Sequence, residues 1–130
     1  MSRAWQDCPG PSDRTPACRG TRADVKDEPV AIRKNVGPED ARSWLLVNGA
    51  RTDLFDAAHR SRADQVVLDI EDAVDPANKA EARAGVVDWL SGGEKKAWVR
   101  INDRSSPFWT DDVAKLAGLP GLLGVMLAKT

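Results

Sequence analysis

Cysteine is scarce in this sequence, and its two cysteines do not form a pattern typical of a metal site. Cys8 and Cys18 lie in a region rich in proline and glycine, without a CxxC spacing and without further potential ligands nearby. We therefore expect free thiols in a reducing cytosol. The first residues, MSRAWQDCPGPSDR, also lack the apolar middle part of a secretory signal, which favours a cytoplasmic protein.

Long apolar runs and an excess of one charge are absent as well. No run approaches the roughly 18 apolar residues of a membrane span, so the sequence predicts no membrane insertion. The 19 lysines and arginines nearly cancel the 20 aspartates and glutamates, which leaves no overall field to attract nucleic acid or an anionic membrane. What is present is a chain of 130 residues, 42% of them hydrophobic, sized for one domain with a buried core.

The chain divides into two parts of different composition at about residue 42. Residues 1–41 hold five of the eight prolines, charges of both signs and no apolar periodicity, so we expect a disordered or loosely ordered leader. In residues 42–130, short apolar runs predict four β-strands, at 43–49, 65–70, 97–101 and 122–127. Each run is nearly continuous rather than alternating, as in strands that are covered on both faces of a parallel sheet.

Three helices are predicted between the strands, at residues 52–62, 75–90 and 110–117. The second is the clearest: Asp75 suits the N-cap, Pro76 the first helical position, and Gly92 with Gly93 the end of the helix. The apolar residues expected to face the core are Ala80, Ala84, Val87 and Leu90 in this helix, Leu54, Phe55 and Ala58 in the first, and Val113, Leu116 and Ala117 in the third.

Strands and helices that alternate in this way predict an α/β fold with a parallel sheet. The pattern contains about four β/α units, and the last strand ends three residues before Thr130. A (β/α)8 barrel needs on the order of 200 residues or more, and a small doubly wound domain usually continues to a fifth strand. We therefore expect this chain to be one part of a larger fold.

Polar side chains collect where the predicted strands end, which is where parallel α/β folds bind their ligands. They are Asn48 and Arg51 at the first strand, Asp69, Glu71 and Asp72 at the second, Arg100 and Asn102 at the third, and Lys129 at the fourth. Such crowded acids need a metal, a substrate or a basic side chain as partner. Arg100 alternates with the apolar Val99 and Ile101, so in a barrel it faces inward, where an arginine must meet an anion such as a carboxylate.

Four motifs in a fixed order are specific enough to indicate a family. They are RSWLLVNGAR, ADQVVLDIEDAVDPANKAEAR, WVRINDRSSPFWTDDV and GVMLAKT, and they run from about Arg42 to Thr130. The set resembles the acyl-CoA carbon–carbon lyases related to the citrate lyase β subunit, which include malyl-CoA and citramalyl-CoA lyases of the HpcH/HpaI aldolase superfamily. The resemblance implies a Mg²⁺-dependent TIM barrel, usually a homo-oligomer, that cleaves or forms a bond between an acyl-CoA and a 2-oxo acid.

The resemblance also implies roles for individual residues. Arg100, the arginine of VRIN, would hold the carboxylate and oxygen atoms of the substrate near the metal and so act in catalysis. Asp69, Glu71 and Asp72 would organise water around the ion, and Asp69 is the one most expected to reach it through water. Asp69 is also expected to take part in binding the substrate. The residues expected near the CoA entrance and its phosphates are Lys79, Arg83 and Arg51. Cleavage beside a thioester leaves an enolate, and a cation at its oxygens lowers that barrier.

The direct metal ligands of the family would follow this sequence. In the family, a glutamate comes immediately after the lysine motif that reads MLAKT here, and an aspartate follows the next strand. Both positions lie beyond Thr130, so the chain as given is expected to hold Mg²⁺ poorly and to be inactive alone. Asn48 and Ala128 also stand where the family commonly has proline.

Several of these residues have an ordinary structural explanation as well. Asp75 is fully explained as a helix cap, and Arg100 can form an internal ion pair with Asp69 or Asp72. Lys79 and Arg83 can belong to a charged helix surface. The residues expected to play no part in catalysis are His59 on the surface, Trp89 and Trp98 in a core or interface, Trp109 in a loop, and Lys129 as a charge at the rim.

Three hypotheses for the function follow. The chain is a truncated copy of a Mg²⁺-dependent lyase, or a non-catalytic module that pairs the edge of its sheet with another chain. The third is an α/β domain of unrelated function, such as a phosphate-binding regulator.

Overall fold

The structure, a computed structural model, describes residues 36–130. Most of the leader predicted for residues 1–41, including both cysteines, lies outside the described residues. The described part begins with a turn at residues 38–40, shortly before the first strand. Within residues 36–130, no helix has the length and apolar character needed to cross a membrane.

Four strands and three helices alternate along the described chain. The strands are β1 (Trp44–Asn48), β2 (Gln65–Asp69), β3 (Ala97–Ile101) and β4 (Leu122–Leu127). The helices are α1 (Phe55–His59), α2 (Lys79–Ser91) and α3 (Trp109–Leu116), and 3-10 turns at Thr52–Leu54 and Pro76–Asn78 lead into α1 and α2. The four strand predictions are confirmed to within one residue at each end. The first helix is shorter than the predicted range of residues 52–62: a 3-10 turn precedes it, and it ends at His59.

All four strands are parallel in one sheet, in the order β1-β2-β3-β4. The register places Asn48 beside Asp69, and Asp69 beside Arg100. Pairing of each strand with the next in sequence, across a helix, is the winding of a (β/α)8 barrel, whereas a doubly wound sheet reverses its strand order. The described residues therefore have the α/β architecture of the N-terminal part of a TIM barrel, as the sequence predicts.

The core lies between the sheet and the helices. In β3, the buried Ala97, Val99 and Ile101 alternate with the half-buried Trp98 and Arg100. β2, which pairs on both sides, is buried at every position. The helix residues that pack in this core are Phe55, Ala58, Ala82, Val86, Leu90 and Leu116. Arg100 therefore points to the face of the sheet opposite the helices, as predicted from its alternation with apolar neighbours.

The ends of α2 follow the sequence closely. The Asp75 carboxylate accepts a hydrogen bond from the Ala77 amide at 2.9 Å, with Pro76 at the first position. The helix ends at Ser91, and Gly93 adopts a φ of 72°. Only glycine enters this left-handed region without steric cost. The predicted cap and the predicted stop are both confirmed.

The buried side of α2 differs from the predicted one. Leu90 is buried, but Ala80 and Ala84 are exposed. The residues that pack on the sheet are Lys79, Ala82, Arg83, Val86 and Leu90. These residues also have helical spacing. The sequence does not show them as an apolar face, because two of them, Lys79 and Arg83, are charged. Lys79 and Arg83 are each 8% exposed, so the expectation that they belong to a charged surface is wrong.

The inward side of α3 contains a charged residue. Leu116 is buried as predicted, whereas Val113 is 43% exposed and Ala117 lies on the surface. The inward position one turn before Leu116 is occupied by Asp112, which is 1% exposed. A buried carboxylate requires hydrogen-bonding partners, and α2 and the end of β3 supply them.

Candidate active site

Five charged side chains meet at the carboxyl ends of β2, β3 and β4. We call them the rim cluster, and its members are Asp69, Glu71, Asp72, Arg100 and Lys129. The sequence predicts that these residues lie at one edge of the sheet, and the structure brings all five together. Their geometry follows from parallel pairing, because it aligns the carboxyl ends of neighbouring strands.

Asp69 and Arg100 form the centre of the rim cluster. The Nε of Arg100 donates to Oδ1 of Asp69 at 2.9 Å, and Nη2 donates to Oδ2 at 2.6 Å. Two parallel bonds of this kind fix both the position and the plane of a guanidinium. The Asp69 side chain is fully buried, while that of Arg100 is 25% exposed. The predicted placement of both residues on one side of a parallel sheet is confirmed, and so is the internal ion pair.

Asp69 is held as an anion by two further hydrogen bonds. The amide of Glu71 donates to Oδ1 at 2.9 Å and that of Ala73 to Oδ2 at 3.1 Å. Burial by itself would raise the pKa of the Asp69 carboxyl, but the bonds from Arg100 and from the two amides hold this pKa below its ordinary value. The hydrogen bonds with Asp69 in turn raise the pKa of Arg100. The pair is therefore fully charged.

Arg100 keeps one end available for a ligand. Among residues 36–130, its Nη1 has no hydrogen-bond partner, since Nε and Nη2 are the atoms that bind Asp69. The next acid is Glu71, whose Oε2 lies 3.9 Å from Nε. An arginine anchored on one side and open on the other is preorganised for an anion such as a small carboxylate.

Lys129 closes the rim cluster from the end of β4. Its Nζ lies 2.8 Å from Oε1 of Glu71 and 3.1 Å from Oδ1 of Asp72. Hydrogen bonds and charge interactions with these acids raise the pKa of Lys129 well above its ordinary value, and Lys129 lowers the pKa of Asp72. Its backbone has a φ of 53°, which is uncommon outside glycine. A cation held in this way serves as a rim charge, as predicted, and is unsuited to Schiff-base formation, which requires a neutral amine.

The acids of the rim cluster carry the oxygen ligands that Mg²⁺ prefers, but they are already engaged. Both oxygens of Asp69 accept hydrogen bonds, and Glu71 contacts Lys129 and the Asp72 amide. Within the described part of the chain, no three or more metal-ligating side chains converge on a point. Among residues 36–130, these acids therefore do not form a set of direct Mg²⁺ ligands.

The end of β1 contributes an anchor to the site. The Asn48 amide donates from Nδ2 to the Ala73 carbonyl at 2.7 Å, and its Oδ1 accepts from the Ala50 amide at 2.8 Å. Arg51 instead forms an exposed fork with Asp53, at 2.9 and 2.8 Å. Arg51 is thus not brought into the rim cluster, and its contact with a CoA phosphate stays a prediction.

Lys79 lies behind the rim cluster. Its Nζ donates to the carbonyls of Ile70 at 3.1 Å and Glu71 at 2.5 Å, and it stands 5.6 Å from the centre of the Phe108 ring. The ammonium thus satisfies backbone carbonyls that follow β2. These contacts describe a structural role, and the predicted contact of Lys79 with substrate stays a prediction.

A second buried group ties the strand ends to the helices. Oδ1 of Asp112 accepts from Nη1 of Arg83 at 2.7 Å, and Oδ2 accepts from Nδ2 and the backbone N of Asn102 at 2.6 and 3.2 Å. The Asn102 amide also donates to the Ile70 carbonyl at 3.1 Å. The sequence predicts that Asn102 lies at the rim, but its patterns do not single out Asp112. The available signal for Asp112 is its position one turn before the buried Leu116.

Comparison with known proteins agrees with this geometry. The model of the HpcH/HpaI aldolase/citrate lyase family matches residues 42–130. An L-malyl-CoA/beta-methylmalyl-CoA lyase of Cereibacter sphaeroides is 42% identical over 78 residues, which are 58% of this chain and 24% of that protein. A citrate lyase subunit beta-like protein of Deinococcus radiodurans is 37% identical over 102 residues, which are 73% of this chain and 35% of that protein.

A solved structure shows the same similarity. CitE from Mycobacterium tuberculosis, in complex with magnesium, acetoacetate and coenzyme A, matches with a TM-score of 0.58 at 34% identity, over 69% of this chain and 33% of that chain. The present chain spans about a quarter to a third of the length of these relatives. With its four strand-end motifs, its barrel-type sheet and a family match over residues 42–130, the chain belongs to the HpcH/HpaI aldolase/citrate lyase family.

Proposed function

We propose that residues 42–130 form the substrate-binding edge of a Mg²⁺-dependent carbon–carbon lyase that acts on a hydroxyacyl-CoA such as malyl-CoA or citramalyl-CoA. One observation carries the proposal: Arg100 is 25% exposed, is oriented by the two hydrogen bonds that it donates to a buried carboxylate, and has Nη1 unpaired among the described residues. The names of the relatives, a malyl-CoA lyase and a CitE bound to magnesium and coenzyme A, support the substrate class.

In this proposal, Arg100 binds the carboxylate of the part of the substrate that leaves as a 2-oxo acid. Asp69 prevents the guanidinium from turning away, so the substrate meets a binding group already in place. Lys129 balances the charges of Glu71 and Asp72, which would otherwise repel an anionic substrate. The rim cluster thus holds the substrate by a carboxylate that is charged throughout the reaction, while new negative charge develops on the thioester oxygen as the enolate forms.

Mg²⁺, when bound, would supply Lewis-acid stabilisation of that negative charge. We propose that Asp69, Glu71 and Asp72 order the water around the ion. The direct ligands would be the glutamate and the aspartate of the family that lie beyond Thr130. This division of roles follows from the hydrogen bonds and ion pairs that already occupy the three acids.

The remaining parts of the proposal rest on the family. Arg51, exposed in the loop after β1, is the candidate contact for a CoA phosphate. Lys79 is the second residue for which the family implies such a contact, but its burial favours a structural role. We further propose a homo-oligomer in a reducing, cytoplasmic compartment, where Cys8 and Cys18 stay as thiols.

The test is an assay of the complete gene product with malyl-CoA and citramalyl-CoA, in which the released 2-oxo acid is trapped with phenylhydrazine. We expect release of the oxo acid with Mg²⁺ and none after chelation. Arg100→Lys should lower kcat/KM by about 100-fold, because an ammonium cannot keep the fork with Asp69 and bind substrate together. Arg104→Lys, a change of the same kind at an exposed position four residues away, is the control and should leave kcat/KM unchanged.

If the Arg100→Lys variant and the native protein have the same kcat/KM, Arg100 does not contact the substrate. If the gene product releases no oxo acid, a chimera decides the question: residues 42–130 replace the matching segment of the Cereibacter sphaeroides lyase. A folded chimera without activity contradicts the proposal, because residues 42–130 then do not support catalysis even when the rest of the lyase supplies the metal ligands.

A further inference from the structure

The carboxyl ends of β2 and β3 are joined one residue beyond the Asp69–Arg100 pair. There, the Asn102 side chain donates to the Ile70 carbonyl at 3.1 Å, and the Ile70 amide donates to the Arg100 carbonyl at 3.1 Å. Asn102 thus lies two residues after Arg100 and bonds to the residue that follows Asp69. Asn102 is thus connected to both strand ends that carry the ion pair.

Asp112 binds Asn102 through two hydrogen bonds. One oxygen of its carboxylate accepts both the side-chain and the backbone N–H of Asn102, at 2.6 and 3.2 Å. The other accepts from Arg83 of α2 at 2.7 Å, so the carboxylate links both neighbouring helices to the end of β3. Asp112 is 1% exposed and cannot contact substrate itself.

We propose that Asp112 is a positioning residue: it acts through Asn102 to keep the Asp69–Arg100 pair in the geometry that binds the substrate carboxylate. That Asp112 holds the geometry of the ion pair does not depend on the proposed function. That this geometry affects catalysis rests on the proposed function, in which Arg100 is the substrate contact.

The variant that isolates this role is Asp112→Asn. An amide has the shape of the carboxylate but only one acceptor oxygen, so it can serve either Arg83 or Asn102 and not both. Arg83 retains Asp111, whose carboxylate lies 3.6 Å from its Nη2, so the buried guanidinium keeps an anion nearby. The matched control is Asp111→Asn, the same change one residue earlier on a side chain that is 68% exposed.

The first experiment is hydrogen exchange of the complete gene product, followed by mass spectrometry. The amides of Glu71 and Ala73 donate to Asp69 and report on the geometry of the pair. In Asp112→Asn, we expect exchange in a peptide covering residues 69–74 to become about tenfold faster, as for the loss of one buried hydrogen bond. A peptide covering residues 85–91 should be unchanged, and Asp111→Asn should change neither.

Two results would overturn the inference. Exchange at residues 69–74 equal to that of the native protein means that Asp112 does not hold this segment. Equal acceleration of both peptides means that Asp112 only stabilises the whole domain. If Asp112→Asn does not fold, Asn102→Ala replaces it, because that change leaves Asp112 paired with Arg83 and the Ile70 carbonyl paired with Lys79. Hydrogen exchange in the peptides covering residues 69–74 and 85–91 is then compared in the same way.

The second experiment is a double-mutant cycle on kcat/KM of the active enzyme. Asp112→Asn should lower kcat/KM about tenfold in the native background and less than twofold when Arg100→Lys is also present, because the group it positions is then gone. Additive effects would show that Asp112 does not act through Arg100. If the gene product and the folded chimera both lack lyase activity, the proposed function is wrong, whereas hydrogen exchange still decides the role of Asp112.

Discussion

Asp69 accepts four hydrogen bonds and has no contact with solvent, so its charge depends on groups that the fold supplies. Two of the donors belong to Arg100, and the other two are amides of the loop after β2. A carboxylate bound in this way stays ionised at a pH where an exposed one begins to titrate. Protonation of Asp69 is therefore coupled to the loss of the local fold.

This dependence predicts how acid affects stability. The pKa of Asp69 is lower in the folded protein than its unfolded value of about 3.9. Below that value the unfolded state takes up more protons than the folded state. The contribution of Asp69 to the free energy of unfolding is therefore complete above the pKa of the unfolded state, and it is lost as the pH falls through the pKa of the folded state. We expect the urea midpoint to fall between about pH 5 and pH 3, and to fall less in Asp69→Asn. Parallel curves for the two proteins would contradict this.

Lys79 allows a second prediction, because its two interpretations differ in what they change. Lys79→Met keeps the apolar stem and removes the ammonium that binds the Ile70 and Glu71 carbonyls. If its role is structural, the free energy of unfolding falls by about 1–3 kcal/mol, and the KM for acyl-CoA stays the same. We expect this result, because Lys79 is 8% exposed.

The matched control for Lys79 is Lys115→Met on the exposed side of α3, which should leave the unfolding free energy unchanged. A raised KM for acyl-CoA in Lys79→Met, with an unchanged urea midpoint, would instead support the CoA contact implied by the family. Both quantities are measured on the same protein preparation.

The pairing of β3 with β4 depends on an aromatic side chain and a glycine. Trp98 lies opposite Gly124 in the register, and its Nε1 donates to the Gln65 side chain at 2.9 Å. Its ring meets that of Trp44 edge-on, with centroids 5.5 Å apart. These side chains form a layer on the inward face of the sheet, below the Asp69–Arg100 pair. The site thus lies above a layer that contains both tryptophan rings and the Gln65 side chain.

Gly124→Ala tests this layer. A Cβ at residue 124 would lie 2.8 Å from Cε3 of Trp98, inside van der Waals contact. We expect a loss of about 1–3 kcal/mol of unfolding free energy, because the ring must shift within a packed layer. Gly92→Ala is the control, since no atom lies within 4 Å of its Cβ position and its φ is −72°. A loss in Gly124→Ala no larger than in the control would show that the layer is loosely packed.

The sequence predicts the positions of the strands and helices better than it predicts which side of a helix is buried. The strands are predictable because each is a short apolar run, and α2 because Asp75, Pro76 and Gly93 mark its ends. The buried side of α2 is not, because Lys79 and Arg83 belong to it. Whether a cation faces solvent or a backbone carbonyl depends on which neighbouring strand lies behind it. That information is absent from the spacing of the residues within the helix.

The same limit applies to the site. The rim cluster is predictable, because parallel strands place their ends at one edge and Arg100 alternates with buried neighbours. Asp112 is not, because its partners lie 10 and 29 residues away in the sequence. Two adjacent acids at the start of a helix look alike in the sequence. Only the packing of α3 on β3 buries Asp112 and leaves Asp111 exposed.

Across the whole described domain, apolar exposure is concentrated on the two outer strands of the sheet. The exposed large residues of these strands are Trp44, Leu45 and Leu46 in β1, and Leu123, Val125 and Leu127 in β4, at 37–49% of their full area. β1 and β4 are the edges of the sheet in residues 36–130. Each edge presents unpaired backbone groups beside apolar side chains, and this combination promotes association with other strands.

We therefore expect the chain of residues 1–130, purified alone, to self-associate in light scattering and to bind the dye ANS. Leu123→Lys together with Val125→Lys should reduce both signals, because charges on an exposed edge strand oppose strand addition. Leu54→Lys is the control: Leu54 is 40% exposed but lies in the turn before α1, so a charge there should not prevent edge pairing. A monodisperse native monomer with one sharp thermal transition and no ANS signal would contradict the expectation, because the two edges would then be stable in water without a partner.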